Sequence, residues 1–548
     1  MDWKRGHRTV KNLRQRSFRA SRAGELKKVR SLQRLLLKSR ANVWDSGRRV
    51  TQGNRGKSTP GGAHVVLTTA DENGRRCQQW RHLALPQVSP VRRVYIPKRT
   101  GQRPLGLPAI VDRWGQARGK NALKPCWEAR FEGSSYGFRP GRGCPEAITK
   151  VFLWARPNTT RPWVLEADSA GAFNNSGHAA LVQAIGNFPA RQVIQQWLKA
   201  GDVEEELLHP TETGVPQGGV SSPLLLQVAL HGMEQARGCA STSKGVLQGT
   251  SAWVQYAEDF AVFCPTQQKA IEAQATLANW LGRQGGRLSE AKPHLRHLQA
   301  GCNFLGFTLR HYAAPNSSRS GYKLLIQPSQ DSIPQLKRQR KGRWRKQVGA
   351  PPGGLLNAMK PVSRGWSNYC RMGVAKQVFT DVDDCMSWRA QRARKRRHPT
   401  TAGWWRTQQY RGAPRGARRD RWVFMDKDHN ATLRTFAWTR IMRHRLVPTT
   451  SAPDDPALQD YGRQRRSSAP TLADRPGHLA RRPPGRCPVC HQALEKGEEL
   501  HMHHVVPKKH GGRDDLANRR LVHDTCQRQI HSTSAPLGGR RLLEPCTR

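Results

Sequence analysis

The sequence predicts an α+β protein of several domains, and three observations carry the prediction. At 548 residues the chain exceeds what one hydrophobic core organises, so three or four domains are expected. Apolar runs of strand length flank an acidic turn near the middle of the chain, whereas beyond Leu309 the apolar residues keep helical spacing. Near the C-terminus, paired cysteines have the spacing of a metal-binding module.

The acidic turn lies in Gln255-Tyr256-Ala257-Glu258-Asp259-Phe260-Ala261-Val262-Phe263-Cys264 and reads as a β-hairpin with two carboxylates at its tip. Asp168 ends a second apolar run, Trp163 to Ala167, another predicted strand. Side by side, the two strands bring three carboxylates to one point. That suits divalent cations, which take oxygen ligands, and makes the metal cradle of a nucleotide polymerase. Taken alone, a surface hairpin with two acids is the commoner explanation; the rest of the chain decides between the two.

Lys and Arg number 93 against 39 Asp and Glu, a formal net charge of +54 with a pI near 11.2. A solvated surface mixes both signs, so this excess points to a polyanion, RNA or DNA first. An anionic membrane is the weaker alternative: no long basic amphipathic helix is evident, and no run of about 18 apolar residues exists. The opening Met-Asp-Trp-Lys-Arg lacks the apolar stretch of a signal peptide. Most of the twelve Cys stand singly, which argues against a disulfide framework. A cytoplasmic-type protein associated with nucleoid or ribonucleoprotein, or an organellar one, is expected.

In chain order, the first forty residues carry 14 basic residues and two acids. Leu26, Val29, Leu32 and Leu36 predict a short basic amphipathic helix after a flexible start. Val50 to Gly62 is rich in Gly and polar residues and reads as a loop, a candidate lid over a nucleic-acid groove. Val94-Tyr95-Ile96-Pro97-Lys98 and Arg103-Pro104-Leu105-Gly106-Leu107 form a hairpin around Gly101. It sets Lys98 near Arg103, either as a triphosphate clamp or as two solvated charges.

Here a family resemblance becomes specific. The runs YIPKRTGQRPLGLPAIVDR and FEGSSYGFRPGRG, then EADSAGAFNN, GVPQGGVSSPLL, YAEDF and FLGF, resemble a group II intron-encoded reverse transcriptase in order and approximate spacing. The likeness spans roughly residues 45–400. It implies a right-hand polymerase fold, with fingers and palm to about residue 310 followed by a helical thumb. It also implies roles. Asp168, Glu258 and Asp259 match the metal-binding carboxylates, with Mg2+ as the cation. Phe173 matches an aromatic gate against the ribose 2′-hydroxyl, and Gln217 would line the nucleotide pocket. Lys98 and Arg103 would lie on the phosphates, with Lys292 as acid for the leaving group.

The departures bear on activity. The family pattern at the tip is Tyr-Ala-Asp-Asp, and Glu258 stands in third place here. One methylene moves a carboxylate by roughly 1 Å, and such misplacement costs about 10²-fold in rate. Ser169, Ala170 and Asn174 replace the Ile, Lys and second Asp of the family's Asp-Ile-Lys-Gly-x-Phe-Asp-Asn. The fingers hairpin is one residue short, and Gly115 and Gly119 are expected to weaken the helix after Arg113.

Past Leu309, Leu336 to Trp344, Leu355 to Tyr369 and Phe379 to Trp388 predict amphipathic helices with basic outer faces. They resemble the family's maturase segment, the thumb that grips intron RNA. Arg364, Arg389, Arg392, Arg394, Lys395, Arg396 and Arg397 are the candidate phosphate contacts, and Trp366 and Tyr369 read as core. Residues 399–484 read as a basic linker with a few short helices, flexible from about 450, in the place of the family's DNA-binding segment.

Cys487, Cys490, His523 and Cys526 have the paired spacing of a structural Zn2+ site. With His501, His503, His504, Gly511, Gly512 and Asn518 between them, the module resembles an HNH endonuclease of ββα-metal type. That likeness implies His504 as general base, and His503 and Asn518 at a divalent metal. Gln527 stands where the family commonly has a metal-binding His, and His531 lies one helical turn on.

The resemblance implies domains at 1–75 (basic extension), 76–312 (fingers and palm), 313–398 (thumb), 399–484 (DNA-binding region and linker) and 485–548 (zinc module). Its implied function is that of a maturase binding group II intron RNA and stabilising the ribozyme, with an impaired polymerase site. The alternative is an active retromobility enzyme that also nicks a DNA target at the insertion site. No membrane partner is expected, and a homodimer is compatible with the family.

Overall fold

Three helices open the chain: α1 (Trp3–Arg22), α2 (Leu26–Lys38) and α3 (Arg40–Arg48). The computed structural model describes residues 3–530 apart from 63, 68, 80–87, 98–100, 169–176, 237, 240–246, 248, 290–293, 316–319, 348–349, 413–422, 428–430, 434, 445, 449–450, 459, 463–486, 491–493, 495–499, 508–509, 514, 516, 525 and 528–529. The expected flexible start is therefore corrected: α1 is a 20-residue helix with Val10 and Phe18 buried. Val29, Leu32 and Leu36 are buried as their spacing predicts, while Leu26 is exposed. Residues 50–62, expected as a loop, are corrected in part: Arg49–Gly53 continues the preceding helix as a π-helical turn and Arg55–Ser58 forms a 3-10 turn, and the segment is tied down. Arg113 donates to the carbonyls of Pro108 (2.8 Å), Gly56 (3.2 Å) and Thr59 (2.8 Å).

After α4 (Ala70–Gln79), strands β1 (Val91–Pro97) and β2 (Gln102–Leu107) form the predicted hairpin, with Arg92 opposite Leu107 and Pro97 opposite Gln102. Helix α5 (Ile110–Glu128) follows unbroken, against the weakening expected from Gly115 and Gly119. Packing overrides propensity here. Trp114, Ala117, Ala122 and Leu123 are buried, and the Trp197 ring lies over Gly119.

The centre of the chain runs through α6 (Cys144–Trp154), β3 (Trp163–Asp168), α7 (His178–Ile185), α8 (Arg191–Lys199), β4 (Asp202–Glu204), β5 (Leu207–His209), α9 (Ser222–Ala229) and α10 (Met233–Ala236). It continues with β6 (Ala252–Tyr256), β7 (Asp259–Cys264), α11 (Gln267–Arg283) and β8 (His294–His297). One sheet has the order β2-β1-β4-β5 and the other β6-β7-β3-β8. In the second, β6, β7 and β3 are buried on both faces, while the edge strand β8 is half-exposed. Strand alternation sends Leu165, Phe260 and Val262 into the core built with Leu277 and Leu281, and Val164, Ala261 and Phe263 into the core built with Ile148 and Val151.

The helical thumb starts later than Leu309. Strands β9 (Cys302–Phe304), β10 (Phe307–Ala313) and β11 (Tyr322–Pro328) form a sheet first. Then come α12 (Ser332–Lys346), α13 (Pro352–Cys370) and α14 (Lys376–Arg397), the three helices that the periodicity predicts. Trp366 packs on Phe379 and Phe436 with ring centroids 5.8 Å away in both cases. Tyr369 stacks on Phe307 and donates to the Leu305 carbonyl at 2.7 Å, but it is 40% exposed, so the core reading is corrected for Tyr369 and holds for Trp366 alone.

The described residues between 399 and 440 are not a linker. Helix α15 (Gly403–Tyr410) and short strands β12 (Arg411–Gly412), β13 (Val423–Asp426) and β14 (Ala431–Thr432) close the thumb core. There Tyr410, Phe424 and Leu433 meet Trp344, Leu356 and Met386. Nor is the segment after 450 free as far as 458. Arg14 donates twice to Asp454 (2.9 and 2.7 Å), and Arg22 pairs with Asp455 at 2.8 Å. The rest of the expected flexible stretch, 463–484, lies outside the described residues. Strands β15 (Leu500–His504) and β16 (Arg519–His523) form the C-terminal module. No helix among the described residues is long and apolar enough to cross a membrane.

Candidate functional site

Asp168 closes β3 and Asp259 opens β7, and the antiparallel register sets them directly opposite each other. Such opposed residues carry Cβ atoms about 4.5–5.5 Å apart. Tyr256 faces Asp259 across the β6–β7 hairpin, which leaves Ala257 and Glu258 as the turn. Ala257 has φ +57°, a conformation costly for a residue with a side chain.

What holds that turn is the run from Ser134 to Gly137. The Tyr136 N–H donates to the Gln255 carbonyl and the Gln255 N–H to the Ser134 carbonyl, both at 2.9 Å. The Gln255 side chain donates to the Ala257 carbonyl at 3.0 Å. Gly137 lies so close that a Cβ there would sit 2.2 Å from the Ala257 nitrogen. Beneath, Arg139 pairs with Glu128 at 3.2 Å, with the side chains 1% and 2% exposed. It also donates to the carbonyls of Glu132 and Ser135. Reading the residues alone missed this brace; its signal is the Gly directly after Tyr136 in a run that otherwise reads as surface loop.

Buried charges continue under the brace. Burial pushes the Glu132 carboxyl up, but His231 at 2.9 Å and the Gly232 N–H at 2.6 Å outweigh it and hold the group below its ordinary value. Glu234 is 2% exposed, and burial together with the Glu132 charge raises it to about 7.

Beside the β1–β2 hairpin, the Arg103 Nε donates to the Gln217 Oε1 at 2.8 Å, and the Gly106 N–H to the Gln217 carbonyl at 2.7 Å. Gly218, at φ +125°, permits that approach, since a Cβ would lie 2.5 Å from the Gly106 oxygen. Two expected nucleotide-side residues are thus adjacent. Lys98, Phe173 and Lys292 lie outside the described residues, as do Ser169, Ala170 and Asn174. Arg93 pairs with Asp202 at 2.7 Å and anchors the hairpin on β4, a link that the sequence did not suggest.

On α13 and α14, Arg364, Arg392, Lys395 and Arg396 are exposed and Arg389 is half-buried. Arg397 is exposed and donates to the Ala350 carbonyl. Arg394 is a correction. It is 6% exposed and turns inward, towards the Arg406 carbonyl at 3.4 Å, because its position on α14 faces α15. Trp388 and Trp404, each 66% exposed, stand beside this basic surface.

In the C-terminal module, Cys487, Cys490, His523 and Cys526 are buried and their ligand atoms all lie within 4.8 Å of one another. Three thiols and an imidazole are a donor set that fits Zn2+. His503 is buried and His504 half-buried on β15. The Asn518 amide braces the turn after β15, accepting from the Val506 N–H at 2.7 Å and donating to the carbonyls of Val506 (2.9 Å) and Arg513 (2.8 Å). These hydrogen bonds hold the loop beside His503 and His504, the kind of positioning expected of Asn518 near a metal. Gln527 is half-buried, and His531 lies outside the described residues.

Four family models match successive parts of the chain. The family described as reverse transcriptase (RNA-dependent DNA polymerase) matches residues 96–309, and the N-terminal domain of reverse transcriptase matches 1–80. The group II intron, maturase-specific domain matches 335–411 and HNH endonuclease matches 487–533. Protein YkfC of Escherichia coli is 32% identical over 298 residues, 48% of this chain and 78% of YkfC. Group II intron-encoded protein LtrA of Lactococcus lactis is 35% identical over 195 residues, 33% of this chain and 31% of LtrA. The chain belongs to the group II intron-encoded reverse transcriptase/maturase family with an HNH module. Among solved structures, telomerase from Candida albicans aligns at 10% identity and a TM-score of 0.33 over 56% of this chain and 60% of that one, too loosely to bear on this family's fold.

Proposed function

We propose that this group II intron protein works chiefly as a maturase, binding intron RNA and stabilising the folded ribozyme for splicing, with its polymerase site impaired. The observation that supports the reading is the fixed tip under Glu258. Gly137 and the Gln255 hydrogen bonds pin Ala257, so the backbone cannot retract to absorb the extra methylene. Asp168, Asp259 and Glu258 would hold Mg2+, which supplies charge stabilisation for phosphoryl transfer when bound. The Glu258 carboxylate then sits roughly 1 Å too far forward. Arg103 and Gln217, with Lys98, Phe173 and Lys292, would face the nucleotide.

The maturase work rests on charge instead. Arg364, Arg389, Arg392, Lys395, Arg396 and Arg397 line the thumb surface and would meet phosphates, so the protein binds folded RNA better than unfolded RNA. The Zn2+ of the Cys487–Cys526 set is structural in this reading, with His504 as the base and His503 as a ligand of any HNH metal.

One observation favours the second reading, an active retromobility enzyme: the Asp168–Asp259 register is undisturbed. The deciding test of the maturase role is splicing of the host intron at low magnesium. Added protein should promote it, and the Arg392→Ala/Arg396→Ala double variant should promote it less. Splicing at the protein-free rate would end the proposal.

A further inference from the structure

The C-terminal module is seated on the N-terminal helices by its metal-binding end. Arg48, at the end of α3, donates from its guanidinium to the Cys526 Sγ at 3.0 Å. The same guanidinium lies over the Trp3 ring, 4.7 Å from the centroid. Trp3 packs against the small core formed by Cys487, Cys490, Leu521, Val522 and Cys526, and meets Trp44 edge-on at 6.3 Å. Close by, Lys57 approaches Asp524 at 3.8 Å, and Asp524 accepts from His501 at 3.0 Å. An independent contact holds the preceding segment on the same helices: Asp454 and Asp455 take Arg14 and Arg22 of α1. The chain is therefore fastened to α1 at Asp454 and Asp455 and reaches the N-terminal helices again through the module.

The charge at this junction has a consequence. A zinc ion with three thiolates and a neutral imidazole carries a net negative charge, and burying that charge is costly unless a cation compensates. Arg48 supplies the cation from another domain. Hydrogen bonds to metal-bound ligands tune the site, and their loss typically costs about 10- to 100-fold in metal affinity. Linkage is reciprocal: if docked Arg48 tightens zinc, zinc tightens docking by the same factor.

We propose that Arg48 completes the zinc centre across the domain boundary, so that zinc loading locks the C-terminal module onto the N-terminal helices. Arg48 is a positioning residue in this scheme, and the interface it makes with Trp3 is a metal-dependent clamp between the two ends of the chain. The inference rests on zinc occupying the four-ligand set and goes beyond the splicing role.

The test uses the full-length protein, competing zinc against a chromophoric chelator and following amide exchange with and without zinc. Arg48→Ala should weaken zinc at least about tenfold. Zinc removal should raise exchange in residues 3–48 as well as in 487–530. Arg48→Gln keeps a donor and the helix while removing the charge, and gives the same reading if the alanine variant does not fold. Native protein that binds no zinc would overturn both the site and the clamp. Zinc affinity within twofold of native in both variants, or zinc-independent exchange over residues 3–48, would overturn the clamp alone.

Discussion

The acidic tip of the β6–β7 hairpin, read as the palm tip, lies on paired antiparallel strands, whereas in the cysteine cluster only His523 is on a strand, and the two ligand sets are held in different ways. The palm tip is braced by its own domain. Its strands are buried on both faces, its turn is pinned through Ser134, Tyr136 and Gly137, and the Arg139–Glu128 pair lies underneath. Among its described residues the cysteine cluster has a small apolar core, six buried residues of which three are the cysteines, and it leans on Trp3 and Arg48. The lesson is one of pre-organisation. A turn braced in this way should keep its geometry whether or not a metal is bound, whereas the small module should depend on its metal for its fold.

Metal removal should break the comparison open most widely. A structural zinc is worth on the order of 10 kcal/mol to a small domain. Chelation should abolish amide protection in β15 and β16 and leave β3, β6 and β7 unchanged; equal loss in both regions would show that the palm also leans on metal. Arg139→Ala comes next. It leaves Glu128 buried without its cation, and should cost the palm about 3–5 kcal/mol in denaturant unfolding followed by palm amide exchange.

Glu234 sharpens the contrast through pH. Its folded pKa is raised to about 7, so the stability from its protonated form is complete below the ordinary carboxyl range, about 4–4.5, and is lost as pH rises through about 7. Glu234→Gln should flatten that fall and stabilise the palm at pH 8 by up to about 3 kcal/mol, as read from urea midpoints across the range. The smallest effect belongs to the thumb. Arg392→Ala and Arg396→Ala should each lower the salt slope of RNA binding by about 0.7–0.9. Arg394→Ala should leave the slope alone and lower the melting temperature, because its side chain is inside.

Much of this was readable where the signal is local. The tip was legible because apolar runs of strand length end in carboxylates, and the metal set because its four ligands come in two close pairs. The thumb helices announced themselves by period. Helix α1 did not, since its buried face includes Gly6, Ser17, Ala20 and Ser21, small residues that carry no hydrophobic periodicity but let helices approach closely. Residues 399–440 read as linker because Tyr410, Phe424, Leu433 and Phe436 stand singly among basic residues. Their partners, Trp344, Leu356, Met386 and Phe379, are set far back in the chain. Arg394 was misplaced for a related reason: in a run of arginines, composition does not say which one faces the neighbouring helix.

The central claim, that Glu258 on an immobile tip leaves the polymerase site impaired, is tested most directly by primer extension on an RNA template with magnesium. Native protein would be compared with Glu258→Asp and Asp168→Ala. The account predicts little extension by the native protein, a gain of about 10²-fold in Glu258→Asp and none in Asp168→Ala. Strong extension by the native protein, abolished in Asp168→Ala, would contradict it and make the retromobility reading the better one.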